Sequence, residues 1–336
     1  MAEELRIRFL DVGQGDATVG ILPGGTRAFV VDVYDADRVL DFLEAEGITE
    51  VVLFLTHSDR DHTSGAQDLL AELTADHNPI QVSAIFFSQD RIKVTEGGEY
   101  VGLVRFIGRT GRRLSRNAPR SFFNENFHTG LNRIPQFASL FDPVRVTVVH
   151  PAKEDQDSLF RNRTNETSGV LLVEFSIRDG VVRRALLTAD VQLTGISLIL
   201  DRVATQPIEA DVLKFPHHGA WPTTYPGFSE LSGDVQQRTM EEFLRHIMPS
   251  VVVFSVGRDN RNGHIRPEVF SLLTKYHSES NRLRSIMWTQ RTAACREPGL
   301  LPIDSKITGI DSEGDVEVQF GEFPDEDFIA VQAIPQ

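Results

Sequence analysis

Short apolar runs separated by turn signals occupy the start of the chain. Leu5–Leu10, Thr18–Leu22, Ala28–Val33 and Val51–Leu55 read as strands, and Pro23-Gly24-Gly25 turns the second into the third. The spacing then changes to a helical one. Val39, Leu40 and Leu43 share one face of a helix over about Ala36–Glu46, and Gly47 stops it. Another helix is expected from Ala66 to Leu73. The later half repeats this order, with strands near Val144–Val149, Val170–Ile177, Arg184–Thr188, Asp211–Phe215 and Val251–Ser255 and helices near Val235–Ile247 and Pro267–His277. Strands followed by helices in each half predict an α/β sandwich, two mixed sheets face to face with helices outside.

Length and composition agree with a single enzyme-sized domain over residues 1–298. The chain has 336 residues and is 40% hydrophobic, enough for a core shared by two packed layers. No apolar run approaches the roughly 20 residues that cross a bilayer, so no membrane role is expected. No basic-plus-apolar segment precedes Leu5, and the lone Cys295 excludes an internal disulfide; both lead us to expect a cytoplasmic protein. Cys295 reads as a buried small apolar residue. Residues 299–336 turn acidic and strand-like, with Asp304, Asp311, Asp315, Glu317 and Asp325 among them, and are expected to form an edge extension.

Net charge is −14, which argues against a protein that grips nucleic acid over its whole surface. The charge is uneven, however. Between Glu99 and Glu125 no acid occurs, yet Arg105, Arg109, Arg112, Arg113, Arg116 and Arg120 do, followed by Phe122, Phe123 and Phe127. Guanidinium forks bind phosphate oxygens and neighbouring aromatics stack bases, so this stretch, within an insertion at about 91–140, is a candidate phosphodiester-binding face. A solvated helix or loop that meets acidic surface elsewhere is the alternative.

The densest chemistry follows the fourth strand. Thr56-His57-Ser58-Asp59-Arg60-Asp61-His62 places two imidazoles and two carboxylates within six consecutive positions, directly after a buried apolar run. Groups this close repel or remain poorly solvated unless cations hold them together. His57 and Asp59 would face one ion, and Asp61 and His62 a second. Further candidates are His150 after Val146–Val149, Asn165 and Ser168, Asp190 after Leu186-Leu187-Thr188, Lys214 with His217-His218-Gly219, and Asn260 with Gly263-His264. Near the start, Asp11-Val12-Gly13-Gln14-Gly15-Asp16 reads as a sharp bend, in which Asp16 could buttress a metal-bound histidine. His77, His128, His246 and His277 lack such context.

In this order the strings resemble those of the metallo-β-lactamase superfamily, whose His-x-His-x-Asp-His signature has Asp59 here in place of the second His. The variant, with the preceding Asp11–Ala17 bend, is similar to the branch containing the hydrolase domain of the ComEC-type competence DNA-uptake proteins. Ala189 departs from that branch's Leu-Leu-Thr-Gly-Asp strand end. The resemblance covers roughly residues 5–285 and implies a metallo-β-lactamase αββα sandwich holding two divalent ions.

On that resemblance His57, Asp59 and His150 hold one ion, Asp61 and His62 the other, and Asp190 bridges them. One of His217, His218 and His264 completes the second ion's ligand set while another contacts phosphate or protonates the leaving oxygen; we take His217 as the ligand and His218 and His264, with Asp61, as catalytic. Asp59 in place of an imidazole shifts preference from zinc toward manganese or magnesium. The expected chemistry is hydrolysis by a hydroxide held between the ions. Lys214, Arg109, Arg112, Arg113 and Arg116 are candidate substrate contacts, and Asp11, Asp16, Asn165 and Ser168 supporting residues. A phosphodiesterase or nuclease acting on DNA is the first reading. A hydrolase of small esters, lactones or phosphocholine-type esters is the alternative, and a non-catalytic scaffold the third.

Overall fold

The strand β4 (Glu50–Leu55) shows how the layers arise. Its residues from Val51 to Leu55 are all buried, because both of its faces are covered. Val52 and Phe54 point into one apolar cluster, and Val51, Leu53 and Leu55 into another. This computed structural model describes residues 4–87, 99–117, 122–125, 141–151, 165–177, 180–204, 208–221, 233–258, 260–290, 314–321 and 329–334.

Eight strands form the first sheet: β1 (Leu5–Phe9), β2 (Thr18–Ile21), β3 (Arg27–Val31), β4, β5 (Gln81–Phe87), β6 (Phe122–Glu125), and the late strands β13 (Asp315–Phe320) and β14 (Ile329–Ile334), in the order β14-β13-β1-β2-β3-β4-β5-β6. Pairing is antiparallel from β14 to β3 and parallel from β3 to β6. The second sheet contains β7 (Val144–His150), β8 (Val170–Ser176), β9 (Val182–Leu187), β10 (Val212–Lys214), β11 (Val251–Phe254) and β12 (Ser285–Trp288), in the order β12-β11-β10-β9-β8-β7. It too is antiparallel at one end and parallel at the other. Both sheets are therefore mixed.

Three apolar clusters separate the layers. One lies between the sheets, where Phe9, Phe29, Phe54 and Phe86 meet Val146, Val173, Leu187 and Val253. A second lies under helices Ala36–Ala45, Ala66–Leu73 and Glu99–Asn117. The third lies under helices Leu193–Val203, Gly233–Ile247 and Pro267–Ser280. The order is helix, sheet, sheet, helix: an αββα sandwich.

Strand and helix positions agree with the apolar runs to within a residue or two at most ends. Additional elements are β5, β6, β12 and the helices Glu99–Asn117 and Leu193–Val203. In the last of these, Leu193, Ile196, Ile199 and Val203 supply the helical face. The acidic C-terminal stretch contributes two strands. Asp315 and Glu317 are buried in it, but they meet Arg38 at 2.6 Å and Arg8 at 2.5 Å, which offsets the cost of removing those carboxylates from water. Among the described residues no helix is long and apolar enough to cross a membrane. Cys295 lies outside the described residues.

The inter-sheet core centres on Phe54, stacked on Phe86 at 4.8 Å and on Phe141 at 5.9 Å, with Phe29 edge-on at 6.5 Å. Gly20 makes room for this packing: a Cβ there would lie 2.0 Å from the Phe29 ring. Phe54→Ala is expected to cost about 3–5 kcal/mol of unfolding free energy, measured by denaturant titration. A loss under about 1 kcal/mol would show that this cluster is not the core.

Candidate metal centre

β4 is interior and parallel to its neighbours, so it delivers Thr56 and His57, both fully buried, to the rim between the sheets. Asp59 caps a single helical turn, Arg60–Thr63, which turns Asp61 and His62 back toward His57. The His57 and His62 rings lie 4.0 Å apart between centroids. From the second sheet β9 runs on into Asp190, and β10 into Pro216–Gly219, where both His217 and His218 have left-handed backbones, with φ of 49° and 53°. These conformations strain a non-glycine residue and place both imidazoles toward Asp190.

Asp190 is the meeting point. Its Oδ1 lies 3.1 Å from His62 Nε2 and 3.6 Å from His218 Nε2, while its Oδ2 lies 3.5 Å from His217 Nε2 and 3.9 Å from His57 Nε2. Asp59 stands 3.8 Å from His57, and Asp61 3.4 Å from His218. The donors thus fall into two sets sharing one carboxylate. His57, Asp59 and His217 border Oδ2; Asp61, His62 and His218 border Oδ1.

Three of these imidazoles are oriented from behind. Asp32 accepts hydrogen bonds from the Thr56 N–H and Thr56 Oγ, each at 2.7 Å, and from His62 Nδ1 at 2.7 Å. Because the Thr56 hydroxyl proton is spent on Asp32, His57 Nδ1 donates to Thr56 Oγ at 3.0 Å. His218 Nδ1 donates to the Ser255 carbonyl at 2.8 Å. Each ring is thereby left with Nε2 pointing inward. Those three Nε2 atoms and Asp190 Oδ1 are buried without an aligned hydrogen bond, even where His62 and Asp190 approach closely.

Charges follow from this crowding. Burial alone would raise the Asp190 pKa, but His62, His218 and His217 hold it well below the usual carboxylate range. Burial likewise disfavours a charged His62, yet Asp190, Asp32 and Asp16 raise its pKa well above the ordinary value. Asp61 is lowered because the neighbouring His218 and His62 outweigh burial. Burial and the neighbouring His62 lower His57. His264, which stacks on His218 at 6.2 Å and meets His217 edge-on at 5.5 Å, is lowered to about 4 by burial and these two rings.

Other sequence candidates take different places. His150 does not join the cluster: β7 is the edge strand of its sheet, and the ring faces helix Leu193–Val203, with Nε2 2.6 Å from the Glu166 carbonyl and Nδ1 3.3 Å from Arg202. His217 occupies the side of Asp190 that the resemblance gave to His150, and His218 sits deeper than His217. Lys214 is buried against Asp16 rather than turned toward the opening. Asp16 falls within ligand distance of His62, Asp190 and His218, but its ion pair with Lys214 makes it a flanking group. Asp11 shapes the first bend, accepting from Gly13 N and Gln290 Nε2. That bend packs tightly on the late loop: a Cβ on Gly257 would lie 2.5 Å from the Gln14 backbone. Asn165 and Ser168 flank the segment from which Glu166 binds the Gly195 N–H at 2.8 Å, just beyond Asp190. Arg105 and Arg109 are exposed on helix Glu99–Asn117, whereas the side chains of Arg112, Arg113 and Arg116 lie outside the described residues. Arg120, Phe127 and His128 lie outside them too.

Sequence reasoning did not single out Asp32 or Thr56. An acid directly after the apolar strand Ala28–Val31 was the available signal. Asp32→Asn keeps the size and tolerates the left-handed backbone at φ 60°, but replaces one accepting oxygen with a donor. Chelator competition should show divalent-ion affinity falling by about 10–100-fold; unchanged affinity would mean that Asp32 does not orient the site.

No protein-family model matches the chain. It is 23% identical over 296 residues to the ComE operon protein 3 of Bacillus subtilis, an alignment covering 82% of this chain and 31% of that protein, so the chain spans about a third of that relative's length. A stretch of 69 residues is 39% identical to a hydroxyacylglutathione hydrolase of Shewanella baltica, covering 20% of each. The solved structure of the metallo-β-lactamase fold protein YhfI from Bacillus subtilis aligns with a TM-score of 0.43 and 11% identity, over 80% of this chain and 93% of that one. Two facing mixed sheets with helices on both outer sides thus carry the histidine–aspartate string of residues 57–62 on the rim between them, an αββα arrangement that resembles the metallo-β-lactamase proteins.

Proposed function

We propose that this protein is a metal-dependent hydrolase that cleaves phosphodiesters, with DNA as the polymer it acts on. The observation carrying the reading is the convergence of buried, partnerless donors on Asp190. A buried polar atom without a partner costs about 1–3 kcal/mol, and cations on the two sides of Asp190 would satisfy all four. The residues fit a divalent ion, and their division around Asp190 fits two. Imidazole and carboxylate donors without a thiolate suit zinc or manganese, with magnesium a harder alternative. Such ions, when bound, supply the Lewis acidity that activates water and offsets charge on a phosphoryl oxygen.

The chain's own groups supply the rest. Asp61 is partly exposed beside His218 and ionised, so it is placed to accept a hydrogen bond from a water and orient it. With its pKa near 4, His264 is neutral at pH 7 and offers a substrate oxygen a hydrogen bond rather than a positive charge. The preference for a polymer rests on helix Glu99–Asn117. Its first turn meets the metal motif through Glu99 and Arg60 at 3.1 Å, and buried Tyr100, Leu103 and Ile107 fix it to the first sheet. Beyond that first turn Arg105 and Arg109 are exposed on the same helix.

A second reading has its own support. A hollow of about 640 Å³ beside Asp61 is lined by Tyr34, Asp35, Asp37, Arg60 and Asp68 among others, and its acidic balance favours a small ester over a polyanion. The two readings separate on one panel: single-stranded DNA, duplex DNA, RNA and bis-p-nitrophenyl phosphate, each with manganese, magnesium or zinc. Changing Arg109, Arg112, Arg113 and Arg116 together to Ala should weaken DNA binding and flatten its salt dependence, while cleavage of the small diester barely changes. Equal loss on both substrates would make the helix structural, and no loss on DNA would favour the small-ester reading.

A further inference from the structure

Lys214 ends β10 of the second sheet, and Asp16 follows the bend after β1 of the first. Lys214 is 5% exposed and Asp16 1%, and their side chains form an ion pair across the rim of the sandwich. Each partner is also bound through its main chain to the donors of its own sheet. The Asp16 N–H donates to the Asp61 carbonyl at 2.9 Å, and its carbonyl accepts from Tyr34 N at 3.1 Å, two residues after Asp32. Its carboxylate stands 3.5 Å from His62 Nδ1. The Lys214 carbonyl accepts from Thr188 Oγ at 2.5 Å, two residues before Asp190, and Lys214 precedes His217 and His218 by three and four residues.

A buried ammonium paired with a buried carboxylate is a costly way to hold two strands together, since apolar side chains of the same volume would do so at least as well. What it adds is directional: a fixed distance between two specified points. The first sheet carries His57, Asp59, Asp61 and His62, and the second carries Asp190, His217 and His218. We infer that the Lys214–Asp16 pair is a positioning clamp that sets the separation between these two groups of donors, and that Lys214 is not a phosphate contact. The Gly169–Thr56 hydrogen bond, beside His57, and the Gly257–Gln14 hydrogen bond also join the sheets at this rim, but neither is an ion pair between side chains. The inference rests on reading the cluster as a divalent-ion site.

Three variants test it: Lys214→Met, Lys214→Arg and the neutral pair Asp16→Asn with Lys214→Met. Each is stripped of metal and titrated with zinc and with manganese against a chromophoric chelator, and thermal unfolding is recorded with and without the ion. Lys214→Met should lose about tenfold or more in ion affinity, within the range for residues that orient ligands. Lys214→Arg, which retains the charge, should recover most of it. In the double variant neither charge is left unpaired, so unfolding temperature should return toward the parent while ion affinity stays low. If Lys214→Met does not fold, the double variant carries the test. Parent-like ion affinity in the folded double variant would overturn the clamp. So would parent-like affinity in Lys214→Met with a raised KM for bis-p-nitrophenyl phosphate, which would return Lys214 to the substrate. Failure of the parent protein to bind either ion would instead remove the metal-site reading itself.

Discussion

One buried carboxylate, Asp190, must face four imidazoles at the seam of two sheets, and much of the surrounding structure serves that requirement. Its two oxygens divide the cluster, Oδ1 toward His62 and His218 and Oδ2 toward His57 and His217. No side chain of one sheet alone could build this arrangement. The apolar layer between the sheets, with Phe54 at its centre, therefore does more than stabilise the fold: it fixes the plane across which His57 and Asp190 meet.

Behind each inner imidazole stands an acceptor that selects its tautomer. Asp32 and Thr56 hold His62 and His57, and the Ser255 carbonyl holds His218. The cost of the arrangement is visible in four left-handed residues, Asp32, Ala189, His217 and His218, all at ends of strands or of their following turns. Strain of this kind persists where surrounding contacts over-determine it. Here Asp32 is fixed by three hydrogen bonds, and the His217–His218 turn is fixed by His217 N to the Ala189 carbonyl and by Ser255.

Much of this was legible in the chain. The strand-then-helix order, repeated, gave the two-layer sandwich, and the His57–His62 string, Asp190 and His217-His218 marked the centre, because contiguous ionisable residues after apolar strands have few other reasons to exist. What spacing could not give was the direction in which a ring turns. His150 ends a strand as His57 does, but β7 is an edge strand and its ring is captured by Glu166 and Arg202. Lys214 looked like an open cation, yet its partner Asp16 lies 198 residues away in sequence. Asp32 escaped notice because it falls inside the run read as the strand Ala28–Val33, and nothing local places it behind His62. These are long-range facts, set by which strands become neighbours.

Whether divalent ions bind on both sides of Asp190, and which residues hold them, decides the metal-centre reading most directly. Crystals grown with zinc or manganese, with anomalous scattering collected at the metal's absorption edge, answer both questions. Two peaks per chain flanking Asp190 are predicted, one among His57, Asp59 and His217 and the other among Asp61, His62 and His218. A single peak, or an ion coordinated by His150, would contradict the two-sided arrangement.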